Sequence, residues 1–174
     1  MSLWRRAFRF RAWLGAGLLA LAAPAALASD LETKVKAAYL FHLIKFVDWP
    51  SLPVGEIRLC ILGSDAVGSM LGELANRQVR ERRLRVEVDN VADPAQCQVL
   101  FLGRDEKRLP DLLRRLKGSS VLTVSDAEDF ARRGGMVGFY AEAGKIMLEI
   151  NAETARVANL RISSKLLELA RTVP

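Results

Sequence analysis

Polar and apolar positions follow two different periods along this chain, and the switches between them lay out its elements. From about 31 to 48, Lys34, His42, Lys45 and Asp48 share one side of a helical wheel while Val35, Tyr39, Leu43 and Phe46 lie elsewhere on it, which predicts an amphipathic helix. Asp48-Trp49-Pro50 ends that helix, because the residue before a proline avoids helical angles, and Ser51-Leu52-Pro53 continues as a turn. Trp49 is expected to pack back onto the core. Residues 57–62 form a short, mostly apolar run closed by Gly63, and 65–76 carry Val67, Met70, Leu71 and Leu74 at helical spacing. Strand followed by helix is a βα unit.

Residues 83–89 alternate strictly, with Arg83, Arg85, Glu87 and Asp89 against Leu84, Val86 and Val88, the pattern of a strand wet on one face near a sheet edge. Residues 99–102 and 121–124 are apolar runs that suit central strands, each followed by a predicted helix, over 106–116 and 127–132. Residues 136–141 and 145–150, joined across Glu142-Ala143-Gly144, read as a hairpin, and a helical C-terminus begins at Ala152 with a break near 159–162. The predicted architecture is α/β: a three-layer, Rossmann-like sandwich with a mostly parallel central sheet, flanking helices and a C-terminal antiparallel hairpin.

The first 28 residues stand apart. Arg5, Arg6, Arg9 and Arg11 precede an apolar run from Ala12 to Leu27 that closes on Ala26-Leu27-Ala28, the layout of a secretory signal peptide cut before Ser29. Interrupted by Gly15 and Pro24, the run falls short of the ~20 apolar residues a spanning helix needs. Arg5-Arg6-Ala7-Phe8 resembles a twin-arginine signal with poorly matching flanks, so either export route serves. Removing this segment takes four arginines and no acid from a chain of formal charge +6, which leaves the exported part near balance. Export and near-neutrality together exclude a nucleic-acid partner as an expectation. Residues 29–174 then suit a single domain around one core, with no linker or repeat dividing them.

Candidate chemistry is sparse. Cys60 and Cys97 are the two cysteines, and in an oxidising compartment an even pair reads first as a disulfide, with two separately buried thiols as the alternative. Gly63-Ser64-Asp65-Ala66-Val67-Gly68 superficially resembles a nucleotide-binding turn, but Asp65 stands where a glycine must let backbone approach a pyrophosphate. In a parallel sheet Ser64, Asp65, Arg104, Asp105, Ser125 and Asp126 all fall at carboxyl ends of strands, where open α/β folds place ligands. Ser64, Asp65, Arg104 and Ser125 are therefore candidate ligand-binding residues, although helix capping by Ser64 or Asp65 and by Ser125 or Asp126 explains these residue types more simply. One histidine and two cysteines do not supply a closed metal site, no cofactor is expected, and His42 is read as a solvated surface side chain with no catalytic role. The run Arg77, Arg80, Arg82, Arg83 and Arg85 is ordinarily a solvated strand face; as the alternative, Arg82 and Arg83 are candidate contacts for an acidic partner or anionic headgroups.

Four segments in order carry a resemblance: residues 36–41 through Phe46-Val47-Asp48-Trp49-Pro50; Leu59-Cys60-Ile61-Leu62-Gly63; Cys97-Gln98-Val99-Leu100-Phe101-Leu102; and Glu149-Ile150-Asn151 through residues 163–167. Together they are similar to the YfiR family of exported proteins over nearly the whole chain after the signal segment. That resemblance implies a periplasmic regulator and not an enzyme. It implies binding to the periplasmic sensor domain of a membrane-bound diguanylate cyclase, which is held inactive so that cyclic-di-GMP signalling and biofilm formation fall, and relief by an outer-membrane lipoprotein. A homodimer is a further partner state to test. The resemblance also implies a Cys60–Cys97 bridge, without the second pair that some members carry toward the hairpin. If the strands ending at Gly63 and Gly103 are neighbours in register, Cys97 sits three residues further back than Cys60, about 10 Å along a strand, against the ~7 Å limit for bridged Cα atoms. Stagger, or a bend at Asp93-Pro94 that carries Cys97, would reconcile the two. The alternative to a cyclase regulator is a periplasmic module that senses a small molecule or redox state on its own.

Overall fold

A computed structural model describes residues 23–73, 75 and 77–174, so the predicted signal segment up to residue 22 lies outside the described residues, as do Leu74 and Asn76. Helix α1 runs Ala23–Phe46, starting earlier than the predicted 31–48 and ending two residues sooner. Its buried stripe is Ala37, Leu40, Leu43 and Ile44, the three- and four-residue spacing of one helical face, while Lys34, His42 and Lys45 stay exposed. The chain then straightens into β1, Val47–Asp48. Trp49 does pack onto the core, with its Nε1 donating to the Gln98 carbonyl oxygen at 3.3 Å.

Strand β2, Glu56–Leu62, sends Ile57, Leu59 and Ile61 to one side of the sheet and Cys60 and Leu62 to the other, and both sides are buried, as expected of a parallel strand covered by helices. Helix α2, Asp65–Gly72, lays Val67 and Leu71 against α1. Two residues, Gln78–Val79, form β3, antiparallel to β4, Arg82–Val88. The link Arg80-Glu81 has φ of 51° and 61°, the left-handed pair that a two-residue hairpin turn demands. Neither residue is a usual choice for that conformation, which is why this hairpin was not read from the sequence.

A 3-10 turn at Pro94–Gln96, capped by Asp93, leads into β5, Val99–Leu102, which is buried throughout. Helix α3, Leu109–Leu116, buries Leu109, Leu112 and Leu116; it begins three residues later than predicted because Glu106 accepts from Arg108 instead of joining the helix. Strand β6 is Leu122–Ser125. The helix expected over 127–132 is absent: this segment is a series of turns, with Asp129 at φ 53° and Phe130 buried. Gly135 lies so close beneath Phe130 that a Cβ there would sit 2.2 Å from the ring, so the aromatic side chain is locked into a folded loop that a regular helix would break.

Strands β7, Val137–Glu142, and β8, Lys145–Asn151, form the expected hairpin, and Ala143 and Gly144 at φ 48° and 74° make its turn. Helix α4, Ala152–Val157, is capped by Asn151, whose Oδ1 accepts from the Thr154 amide at 2.8 Å. The predicted break follows as β9, Arg161–Ile162, which pairs with β1, and then α5, Ser164–Leu167. Strand β10, Arg171–Val173, pairs in parallel with β8, where the sequence pattern predicts continued helix.

The main sheet has the order β10-β8-β7-β6-β5-β2-β4-β3. Its pairings are parallel except β7/β8 and β3/β4, and β4 lies next to the edge, as its alternation predicted. One apolar cluster fills the α1 and α2 side and a second fills the α3 side, so the domain is a three-layer α/β sandwich with a mostly parallel sheet.

Candidate functional site

The strand order turns back at β2, with β4 on one flank and β5 on the other, so the carboxyl ends of β2 and β5 mark a topological switch point of the kind where such folds place ligands. Here that point is filled by backbone. The Gly103 amide donates to the Leu62 carbonyl at 2.8 Å, and a Cβ on Gly103 would lie 1.9 Å from the Gly63 carbonyl oxygen. Glu106 folds over Gly63, while the Asp89 carboxylate accepts from the Gly63 amide at 2.9 Å. Ser64 stands at the N-cap of α2 without a side-chain capping bond, so the capping expected of it is not made.

A crevice of about 350 Å³ opens instead further along the same sheet, lined by Arg104, Asp126 to Phe130, part of β7, Glu149 and Arg171. Of the strand-end residues read from the sequence, Arg104 and Asp126 line it, and Arg104 is exposed. Ser125 immediately precedes it but is fully buried, with its Oγ accepting from the Ala127 amide at 2.9 Å; it stabilises a turn rather than a helix N-terminus. The Ser64 and Asp65 positions lie at the end of β2, outside this lining.

Four ion pairs lie in and around the crevice, and the sequence reading missed them all. Lys36 of α1, only 6% exposed, donates to Asp126 at 2.6 Å and also pairs with Glu32 at 2.6 Å. Glu149, 4% exposed on β8, is held by Arg171 of β10 directly across the parallel pairing, and Arg132 stands 3.7 Å from its other oxygen. The Arg171 guanidinium also stacks over Tyr140, 4.2 Å from the ring centroid. Buried carboxylates need such partners, since desolvation otherwise disfavours their charge. Asp126 Oδ1 and Glu149 Oε1 nevertheless keep no hydrogen-bond donor. A charged residue inside the apolar run Ile146-Met147-Leu148-Glu149-Ile150 was the sequence signal that could have flagged Glu149.

The cysteine pair sits on the α3 side of the sheet. Cys60 in β2 and Cys97 are bonded, with Cα atoms 6.0 Å apart and exposures of 0% and 1%. Register alone places Cys60 opposite Leu100. Cys97 reaches it because it lies on the bend after the Asp93-capped turn. Gln98 pins that bend: its amide donates to Arg58 at 3.0 Å, its Oε1 accepts from the Arg58 amide at 2.8 Å, and its carbonyl accepts from Leu122 at 2.9 Å.

The basic run is largely engaged within the domain. Arg80 binds Asp48 at 2.8 Å, Arg82 donates to the Pro53 and Arg80 carbonyls at 3.0 Å each, and Arg85 pairs with Glu87 at 2.9 Å. Arg58 grips Glu87 through two bonds, and this charge-assisted pair holds the Glu87 carboxyl below its ordinary range. Arg83 is exposed on the outer face of β4 and makes no ion pair among the described residues. No group of three His, Cys, Asp or Glu side chains able to hold a metal ion occurs among the described residues, and no helix among them is long and apolar enough to cross a membrane.

A family model described as YfiR/HmsC-like matches residues 33–171, most of the chain and every strand of the sheet except the last two residues of β10. No curated protein matches the chain.

Proposed function

Because the chain belongs to the YfiR/HmsC-like family, we propose that it is exported by a cleaved signal peptide over residues 1–28, acts as a single domain in the periplasm, and binds and inhibits the periplasmic sensor domain of a membrane-bound diguanylate cyclase. Members of this family are periplasmic regulators of diguanylate cyclases, and the family is regulatory rather than catalytic. The match across residues 33–171 carries the reading. The geometry supports binding over catalysis: Ser125 is committed to backbone, Asp126 and Glu149 of the crevice are paired with Lys36 and Arg171, and Arg104 is left as an exposed cation for a partner or ligand. Arg83 adds a second cation near the far edge of the sheet, suited to an acidic partner face. An outer-membrane lipoprotein that sequesters the regulator would relieve the inhibition.

The test is calorimetric titration of residues 29–174 against the purified periplasmic domain of the membrane cyclase from the same genome, in oxidised form and again with reductant. Saturable binding that lowers the activity of the intact cyclase supports the reading. Loss of binding on reduction would make Cys60–Cys97 a switch, and equal binding in both states would make it a staple. Absence of binding with both proteins folded would defeat the reading and favour a small-molecule sensor acting through the crevice.

A further inference from the structure

A second hollow, about 510 Å³ and sharing no lining residue with the charged crevice, runs between α3 and α4. Its floor is apolar: Leu109 and Leu116 of α3 and Met136 at the entry to β7, with Leu113 half-buried along one wall. Val157 of α4 completes the opposite wall and is 48% exposed, an unusual setting for a large aliphatic side chain unless something covers it. Three cations, one acid and two threonines supply the polar part of the lining. Lys117 and Arg133 both line the hollow and are exposed; neither has a carboxylate within ion-pair distance among the described residues, and one Arg133 nitrogen donates to the Glu128 carbonyl at 3.4 Å, which leaves its charge unbalanced. Arg114 adds a third cation, balanced by Asp111 at 2.6 Å. The acid in the lining, Glu153, is already neutralised by two bonds from Arg156.

An apolar slot of this size with a few polar groups at one edge is what a small-molecule site looks like, and its volume falls in the usual range of roughly 300–1,000 Å³. Three leucines of α3, Leu109, Leu113 and Leu116, line it over a helix of about 12 Å, a length of apolar surface that suits a single hydrocarbon tail. Two lining cations without a carboxylate partner among the described residues favour a negatively charged head. We propose that this hollow binds a single-tailed anionic amphiphile of the fatty-acid class, with the tail along Leu109, Leu113, Met136 and Val157 and the carboxylate at Lys117 and Arg133. The site is independent of the cyclase-binding reading.

The experiment is calorimetric titration of the exported chain, residues 29–174, with decanoate, and with decanol and decyltrimethylammonium as head-group controls. Decanoate is expected to bind saturably at one site, and about 10-fold more tightly than either control. The surface changes Val157→Glu and the pair Lys117→Glu with Arg133→Glu should each weaken decanoate by on the order of 10-fold while leaving the thermal unfolding transition in place. Because these side chains are exposed, loss of binding in a folded variant reports on the site. Equal affinity for the cationic or neutral amphiphile would overturn the proposal, as would unchanged decanoate affinity in both variants. So would a chain that binds no amphiphile but forms a dimer broken by Val157→Glu, which would assign this face to a second copy.

Discussion

Gly103 has no room for a side chain, because its Cα faces the Gly63 carbonyl oxygen and any Cβ would overlap it at 1.9 Å. The contact joins the turns after β2 and β5 and seals the place where a parallel sheet of this order would otherwise open. Gly103→Ala should therefore destabilise the domain by about 3 kcal/mol or more, since the obstacle is backbone and does not rotate away. Gly72→Ala is the matched control: nothing lies within 4 Å of its missing Cβ, and the change ends a helix with a better helix former. It should raise stability by roughly 0.5–1 kcal/mol. Urea unfolding of the two variants separates them.

The Cys60–Cys97 bond closes a loop with a sequence separation of 37 residues, so replacing both cysteines with Ala should cost about 3–4 kcal/mol in the chain-entropy picture. Both cysteines are buried, and thiol attack requires access. In native buffer the bond should consequently resist millimolar reductant and yield once urea opens the domain. Rapid thiol labelling of the native protein after mild reductant would contradict this.

Acid should weaken the protein through Glu87 and Glu106. Arg58, followed by Arg85, holds the Glu87 carboxyl below its ordinary value of 4.5, and Arg108 does the same for Glu106 through two side-chain bonds and its amide. A carboxyl whose folded pKa is lowered adds stability that is complete above its unfolded value and is lost as pH falls through the folded one. The urea midpoint should be flat near pH 7 and fall below about pH 4.5, and Glu87→Gln with Glu106→Gln should flatten that fall.

Lys36 has two carboxylate partners, Asp126 deep and Glu32 nearer the surface. Asp126→Ala should cost about 1–3 kcal/mol, because it leaves a buried ammonium with only its outer partner. Replacing both, Lys36→Met with Asp126→Ala, should recover part of that loss, since the one charge left without its partner, Glu32, is solvated. Thermal unfolding of the single and double variants measures the difference.

If the outer face of β4 steers a partner, Arg83→Glu should slow association by several-fold at low salt and leave dissociation nearly unchanged. Arg83 is the cleaner probe than Arg82, whose guanidinium holds the Pro53 and Arg80 carbonyls. Equal association rates at low salt would remove this face from consideration.

The strands that bury both faces or alternate cleanly were legible from sequence: 57–62, 83–89, 99–102 and the hairpin over 136–150 all appear within a residue or two of expectation. The failures share a cause. The expected helix at 127–132 has acceptable local propensity, but Phe130 is claimed by the core and Gly135 makes room for it. Strands β1, β3, β9 and β10 have two or three residues each, too few to show a period, and exist because a neighbouring strand accepts their hydrogen bonds. The candidate crevice was half legible. Arg104 was found by the rule that places ligands at strand ends, whereas Lys36, Glu149 and Arg171 come from three distant segments that only the packing of α1, β8 and β10 brings near it.

By itself the sequence determined the layer class, the run of parallel strands, the hairpin and the family, because periodic burial and ordered motifs are properties of neighbouring residues. The tertiary structure decided where the sheet is open. Two glycines in contact fill the switch point, four ion pairs set the crevice beyond it, and α3 and α4 leave an apolar hollow between them. Those outcomes depend on distances between segments remote along the chain, which local pattern does not encode.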